Sequence, residues 1–244
     1  QCFVNNYWWP IGVMLAICSV LLILVFRLAM TRDLGRGLVS ERPGHRHAGA
    51  VLSSPFGLAL KLLKTPLIVW SVTVLLFAAA YGSVFGDLDS FIGGNEMLSA
   101  IFAANPAFSL AEQFIVMLVS VMTMIATITI ISCVERIAAE EKRGHTEHLF
   151  GRAVSRGQQM AAYTTIAFVT SIVLQFLTAL GFWSAGSMVL DTAPSLGTFM
   201  QATFAYLPAI WCMMGITMLL VAILPGKTSI AYAWLAYSFF SVYL

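Results

Sequence analysis

Few residues of this sequence have the types and spacings of a catalytic, metal-binding or phosphate-binding site. Each candidate lacks the other residues that such a site requires. His145 and His148 stand at i,i+3 spacing on one potential helix face, but there is no HExxH pattern and a zinc site needs more ligands. The segment PGKTS (225–229) ends like a phosphate-binding loop, yet the required first glycine is Val221, inside an apolar run with no preceding strand. Ser155 has no GxSxG setting. We therefore expect no catalytic residue, metal site or ATP site here.

The most polar stretch is AAEEKRGHTEHLFGRAVSRGQQ, residues 138–159, between two long apolar runs. It holds seven of the 24 Asp, Glu, Lys and Arg residues. A solvated loop would explain this concentration of charge. The apolar pairs at 149–150 and 153–154 favour a second interpretation, a short helix over Glu140–Leu149 that docks on a partner.

Composition sets the class of protein that must position this stretch. The chain is 59% hydrophobic and 10% charged, with a mean hydropathy of +0.88, whereas soluble domains carry about 25% charged residues. Lipid must cover so much apolar surface, and continuous apolar runs favour helices over a membrane barrel. The sequence predicts an all-α, polytopic transmembrane helical bundle. The net charge of +2 gives no indication of nucleic-acid binding.

Six membrane spans are predicted, the last of them cut short, since a spanning helix needs about 20 apolar residues. They cover residues 8–30, 66–86, 111–134, 161–185, 200–224 and 229–244. Because the chain begins with Gln1 and ends inside an apolar run, we expect a fragment of a longer polypeptide. The expected organisation is the last span of a preceding half (1–30), a cytoplasmic linker (31–52) and a second transmembrane half (53–244).

The basic residues predict the orientation. With the loop 31–65 inside, the segment 135–160 and the turn at Lys227 are inside too, and all 13 Lys and Arg fall on that side. The opposite side carries only acidic residues: Asp87, Asp89, Glu96, Glu112 and Asp191. By the positive-inside rule the basic loops are predicted to be cytoplasmic.

Residues 53–65, SSPFGLALKLLKT, are predicted to form an amphipathic helix in the plane of the interface. Proline suits a first helical turn, so Ser54-Pro55 can start it. Its apolar face and flanking lysines are predicted as follows: Phe56, Ala59, Leu60 and Leu63, beside Lys61 and Lys64. Pro66 is expected to end this helix and turn the chain sharply into the second span.

The predicted spans hold almost no ionisable group in their interiors. Proton-coupled transporters and ion pumps generally need a buried carboxylate or histidine relay, so transport powered from elsewhere, or no active transport, is favoured. Neutral polar residues recur at helical spacing on the third span, where they would either bond neighbouring helices or line a substrate path. The candidate path residues are Ser120, Thr123, Met124, Thr127, Met213 and Thr217, although methionine also serves ordinary packing.

With this layout, the polar stretch resembles the cytoplasmic loop of ABC-2 type exporter permeases. That family has an acidic pair, Gly or Arg, Thr/Ala-Glu, two apolar residues and Pro-Val-Ser-Arg after the second span of a repeat. The matching residues are Glu140-Glu141, Gly144, Glu147, Leu149-Phe150 and Val154-Ser155-Arg156. Ala153 replaces the usual proline, and Leu149-Phe150 replaces Leu-Leu. TRDLGRGLVSERPG (31–44) and SPFGLALKLLK resemble the hinge and elbow helix of two-half permeases of the polyketide-antibiotic or tetronasin type.

The resemblance implies a permease subunit of an ATP-driven exporter of amphiphilic or drug-like molecules, with antibiotics as one candidate class. It implies that the chain is not an enzyme and carries no cofactor, while ATP and Mg are bound by two separate ABC ATPase subunits. The ATPase-coupling residues would be Glu140, Glu141, Arg143, Gly144, Glu147, Leu149, Phe150, Arg152, Val154, Ser155 and Arg156. The arginines among them would pair with acidic groups of the ATPase or with anionic lipid heads.

A different class also fits the sequence. A membrane scaffold without transport activity, or a subunit of a membrane enzyme, would use the 135–160 loop to bind some other cytosolic partner.

Overall fold

The computed structural model describes residues 9–31, 54–87, 110–142, 144, 154–189 and 194–243. Within these ranges all regular structure is helical, which confirms the all-α prediction. Five described segments are long and apolar enough to cross a membrane: Ile11–Met30, Pro55–Gly86, Gln113–Lys142, Arg156–Val189 and Leu196–Ile223. The chain is therefore a multi-pass membrane protein. Its contacts divide it into two units, Gln1–Ala48 and Gly49–Leu244.

The helices are numbered in chain order. They are α1 (Trp9–Thr31), α2 (Pro55–Gly82) with a 3-10 extension (Ser83–Asp87), α3 (Leu110–Lys142), α4 (Arg156–Val189), α5 (Leu196–Phe204), α6 (Leu207–Ile223) and α7 (Ile230–Tyr243). In the first unit, the side chains of α1 from Ile11 to Met30 are exposed and almost all apolar. In the second unit, α3 is central and contacts α2, α4, α5, α6 and α7.

Helix α2 starts as predicted but does not stop where predicted. Ser54 caps it, with its side-chain oxygen accepting from the Gly57 amide at 3.0 Å. The helix then runs through Pro66 to Gly82, so the predicted break before the second span is wrong. A proline inside an apolar helix removes one backbone hydrogen bond, and neighbouring helices can compensate for that loss in a membrane.

The predicted apolar stripe of this helix is also divided. Ala59 and Leu63 are buried in the bundle, whereas Phe56 and Leu60 are exposed. One side of the segment therefore packs against protein, and its other apolar positions remain on the surface together with Lys61.

The pair α2–α4 makes the most extensive helix contact of the second unit. A Cβ added at Gly181 of α4 would lie 2.6 Å from the Ala78 Cβ and 2.8 Å from the Leu75 carbonyl oxygen of α2. A Cβ added at Gly82 would lie 3.0 Å from the Ala185 Cβ. The backbones approach this closely because small residues recur every four positions on both helices, a common device where lipid provides no hydrophobic drive between helices.

A cluster of four phenylalanines adjoins this contact. Phe85, Phe114, Phe182 and Phe199 are all buried, with ring centroids 5.9–6.3 Å apart in the measured pairs. Such ring pairs add stability beyond the area that they bury. The cluster joins the ends of α2 and α4 to α3 and α5.

The predicted single span at 200–224 is two helices. The chain leaves α5 at Phe204, turns at Ala205–Tyr206 and restarts as α6 with Pro208 in its first turn. Proline has no N–H to donate to the carbonyl four residues earlier and is favoured at a helix start. The segment PGKTS forms the turn between α6 and α7, where the Lys227 amide donates to the Leu224 carbonyl at 2.9 Å.

The close approach of α2 and α4 predicts a matched pair of outcomes. Gly181→Ala should lower the thermal unfolding midpoint of the full-length permease in detergent, because the added methyl overlaps α2 and overpacking costs about 1–3 kcal/mol. Gly215→Ala on α6 is the control, since its added Cβ meets nothing within 4 Å. Equal midpoints for the two variants would contradict the packing described here.

Candidate functional site

Two groups of residues in the second unit correspond to the predicted functional positions. The first, called the loop-end site, comprises the last turn of α3, the first turn of α4 and the adjoining end of α6. The second, called the membrane cavity, lies among α3, α6 and α7.

At the loop-end site, α3 ends later than predicted. Glu140, Glu141 and Lys142 belong to its last turn, and Gly144 follows with φ of +74°. The Gly144 amide donates to the Glu141 carbonyl at 3.0 Å, which is the arrangement of a glycine C-cap. The predicted short helix beginning at Glu140 is therefore wrong in its first part, because these residues continue α3. Five predicted coupling residues lie outside the described residues: Arg143, Glu147, Leu149, Phe150 and Arg152.

Helix α4 begins with a reciprocal cap. The Gln158 amide donates to the Ser155 side-chain oxygen at 3.2 Å, and the Ser155 amide donates to the Gln158 side-chain oxygen at 3.1 Å. This is a capping box, for which the spacing Ser-x-x-Gln is a recognisable sequence signal. Ser155 was predicted as a coupling residue, and the structure gives it a local role in starting α4.

Two ion pairs organise the charges of the loop-end site. Arg136 Nε lies 3.0 Å from Glu140 Oε1 within α3, and Glu140 is 6% exposed. Arg156 Nη2 lies 3.6 Å from Glu141 Oε1 and joins the start of α4 to the end of α3. The Arg156 and Glu141 side chains are 80% and 45% exposed, so this pair is worth at most about 1 kcal/mol. Glu140 is thus a buried structural anchor, whereas Glu141 and Arg156 present charge at the surface.

A cavity of about 320 Å³ opens beside this surface pair. Its lining residues come from three helices and the turn after α6: Ile137, Glu141, Arg156, Gln159, Met160, Val221, Ala222 and Pro225. Its lining combines charged and amide side chains with apolar ones, a mixture that would suit a side chain inserted by a partner. The predicted orientation put the turn after α6 on the same side as the loop, but it did not predict this contact between them.

The membrane cavity measures about 330 Å³ and brings together five of the six predicted path residues. Its lining residues are Ser120, Thr123, Met124, Thr127, Tyr206, Ala209, Cys212, Met213, Trp234, Leu235, Ser238 and Phe239. None of these described residues is acidic or basic. Thr217, the sixth predicted residue, is not part of the lining, since it is fully buried and donates to the Met213 carbonyl at 2.8 Å.

Sequence reasoning missed the aromatic part of this cavity. Trp234 and Phe239 belong to α7, which lies within the predicted span 229–244, and Tyr206 stands at the break between α5 and α6. The break places Tyr206 beside the cavity, and only the proline two residues later indicated it in the sequence.

Thr123 also bonds a neighbouring helix. Its hydroxyl oxygen accepts from Gln175 Nε2 of α4 at 3.0 Å, and Gln175 is fully buried. The Gln175 side-chain oxygen accepts no hydrogen bond from the described residues. Thr123 therefore bonds a neighbouring helix, as one of the two predicted alternatives has it, and also lines the membrane cavity, whose use as a substrate path stays a prediction.

The described part of the chain places no group of three or more His, Cys, Asp or Glu residues where they would hold a metal ion. His145 and His148 lie outside the described residues.

Five segments of membrane length, together with a cavity in the second unit that has no charged residue in its described lining, are the features of a polytopic helical membrane protein. Residues 52–244 match the family model described as "Multidrug efflux system permease Rv1217c, C-terminal domain", and the chain belongs to this family. Membership of a permease family supports the resemblance to ABC-2 type permeases and the expectation that the chain is not itself an enzyme.

A curated relative extends the comparison. The chain is 31% identical over 244 residues to the "Multidrug efflux system permease protein Rv1217c" of Mycobacterium tuberculosis (strain ATCC 25618 / H37Rv). The alignment covers 99% of this chain but 44% of that protein, so the chain spans less than half of the relative's length. The predicted polyketide-antibiotic or tetronasin type stays a prediction.

The capping box predicts a local effect at the start of α4. Ser155→Ala should speed amide exchange at residues 157–159 several-fold, because loss of such a cap costs about 1 kcal/mol. Ser155→Asp should keep slow exchange, since aspartate also caps helices, and Ser187→Ala near the other end of α4 should change nothing at these amides. Unchanged exchange in Ser155→Ala, measured by mass spectrometry, would contradict the assignment.

The Thr123–Gln175 hydrogen bond predicts that a second substitution restores the stability that a first one removes. Thr123→Val should destabilise the protein by about 1–3 kcal/mol, because it leaves the buried Gln175 amide N–H without its acceptor. Adding Gln175→Leu should restore most of the lost stability, since both polar partners are then gone. Thr165→Val, at an exposed threonine of α4, is the control in these unfolding measurements. A neutral Thr123→Val variant would contradict this prediction.

Proposed function

We propose that this chain is part of an exporter permease that moves amphiphilic, drug-like molecules out across a bacterial cytoplasmic membrane. ABC ATPase subunits, two copies in the assembly, dock at the loop-end site and supply the energy. ATP and Mg are bound by those subunits, and this chain carries no cofactor. The polyketide-antibiotic or tetronasin type is the finer form of this proposal.

One observation carries the proposal: a single helix takes part in both sites. α3 is unbroken over 33 residues, with Thr127 at the membrane cavity and Glu141 at the loop-end site. At 1.5 Å per residue these positions are about 20 Å apart along the helix. A displacement applied at the loop end by a partner is therefore passed to the cavity wall by a stiff element.

The chemistry of the bundle supports an external source of energy. The lining of the membrane cavity has no Asp, Glu, His, Lys or Arg among its described residues, so it lacks the carboxylate or histidine that proton relays generally use. The expected cytoplasmic position of the basic loops would place the loop-end site where an ATPase can reach it. The efflux-permease family to which residues 52–244 belong fits this arrangement.

The loop-end site offers a partner both charge and apolar surface. Glu141 and Arg156 stand at the cavity beside the loop, and Ile137, Met160 and Val221 contribute its apolar lining. Leu149 and Phe150, expected in the loop between the two helix ends, would add an apolar anchor. The remaining coupling residues of the proposal are Glu140, Arg143, Gly144, Glu147, Arg152, Val154 and Ser155.

Charge reversal at the surface pair tests the docking assignment. Glu141→Lys and Arg156→Glu should each reduce co-purification of the ATPase with the full-length permease at least tenfold and abolish transport in proteoliposomes. Folding should be retained, because this exposed pair contributes at most about 1 kcal/mol. Lys61→Glu, an exposed charge reversal on α2, should leave both measurements unchanged.

A double substitution distinguishes a role in binding the ATPase from an ion pair that only stabilises this chain. Glu141→Arg combined with Arg156→Glu restores the ion pair but presents opposite charges to a partner. If the ATPase binds through these charges, the double variant should remain defective in ATPase co-purification and in transport. Recovery of ATPase binding in the double variant, or normal binding in both single variants, would show that these residues do not dock the partner. A purified complex whose cytosolic partner has no ATPase activity would favour the scaffold alternative.

A further inference from the structure

The membrane cavity has a chemical character that goes beyond its place on a transport path. Three aromatic side chains stand in its wall, Tyr206 at the α5–α6 break and Trp234 and Phe239 on α7. Aromatic rings carry negative charge on their faces, so they attract cations in surroundings with little water. Trp234 is half exposed, so the described residues leave part of its surface uncovered.

The hydroxyl groups of the cavity add hydrogen-bond acceptors. Thr127 donates its hydroxyl hydrogen to the Thr123 carbonyl at 2.7 Å, and Ser238 donates its hydrogen to the Trp234 carbonyl at 2.9 Å. A hydroxyl has one hydrogen and two lone pairs. Thr127 is 3% exposed and Ser238 is partly exposed. Because their hydrogens are bonded within their own helices, their hydroxyl oxygens can offer a ligand only lone pairs, and a ligand must bring the N–H or O–H donor.

Charged side chains in the lining would favour anions or compact ammonium groups. The residues described there include no such charge. No Lys, Arg or His lines the cavity to pair with an anion, and no Asp or Glu lines it to hold a compact ammonium. A localised charge without a partner is costly to bury, whereas a charge spread over an aromatic system loses less hydration. The volume of about 330 Å³ lies at the lower end of the range of small-molecule sites.

We propose that the membrane cavity binds aromatic organic cations with delocalised charge and N–H donors, held against Trp234 with their donors on Thr127. This inference rests on the proposed function in taking the bound molecule as a transport substrate. The site itself, with Trp234 as its π-face and Thr127 as its acceptor, is independent of where the energy for transport comes from.

Direct binding to the full-length permease in lipid nanodiscs, without ATPase and without ATP, tests the proposal. The probes are ethidium, a fused aromatic cation with two amino groups, Nile red, a neutral aromatic dye without N–H donors, and fluorescein, an aromatic anion. Fluorescence titration is corrected with empty nanodiscs. Ethidium should bind at least tenfold more tightly than either of the other dyes.

Matched variants locate the site. Trp234→Leu should weaken ethidium binding about tenfold, because it removes the aromatic face. Thr127→Val, which keeps the shape and removes the acceptor, should weaken it about fivefold and leave Nile red unaffected. Trp183→Leu and Thr165→Val, at exposed positions of α4 outside the cavity lining, should bind ethidium like the unsubstituted protein.

The outcomes distinguish this inference from the proposed function. Tighter binding of Nile red or fluorescein than of ethidium overturns the ligand class, and unchanged ethidium binding in both Trp234→Leu and Thr127→Val overturns the site. Ethidium binding with the expected variant pattern, in a permease that exports nothing with any ATPase, leaves the site standing and refutes the proposed function. ATP-driven export that is insensitive to Trp234→Leu and Thr127→Val supports the proposed function and refutes the site as the place where the substrate binds.

Discussion

The close contact between α2 and α4 is the constraint on which the second unit depends. In lipid, apolar side chains gain little by leaving the solvent, so helices associate where their backbones can approach. Gly181 against Ala78, and Gly82 against Ala185, allow that approach. Once α4 is held in this way, Gln175 can reach Thr123 on α3, and the phenylalanines at the end of the pair close the bundle around α3.

The position of α3 then connects two surfaces of different chemistry. Its end carries one buried and one exposed glutamate, of which the first is tied to Arg136 and the second reaches Arg156 on the next helix. Its middle carries hydroxyls whose hydrogens stay within the helix, beside a cavity wall of aromatic rings and methionines. The interior is suited to holding an organic guest, while the charge through which another protein could act is kept at the loop end.

Composition was sufficient to predict the helical membrane class. The orientation of the spans, which was inferred from the lysine and arginine positions, stays a prediction. Helical spacing on α3 also predicted most of one cavity wall, because Ser120, Thr123 and Thr127 are one turn apart. The errors occurred where a local rule competes with its surroundings. Pro66 was expected to end a helix that packing carries through it, and Pro208 was overlooked within a run that hydropathy treats as continuous. Tyr206, Trp234 and Phe239 were missed because only tertiary contacts bring them to α3.

The break between α5 and α6 interrupts a segment that is otherwise long enough to cross the membrane. α5 is fixed at one end through Phe199, which is packed among the other phenylalanines, while α6 carries Met213 in the cavity wall. Pro208 has no N–H to continue the hydrogen-bond ladder, so the ladder is interrupted at Ala205–Tyr206 between the two helices. Phe199, which packs α5 into the phenylalanine cluster, and Met213, which α6 contributes to the cavity wall, therefore lie on opposite sides of an interruption in the backbone ladder and not on one continuous helix.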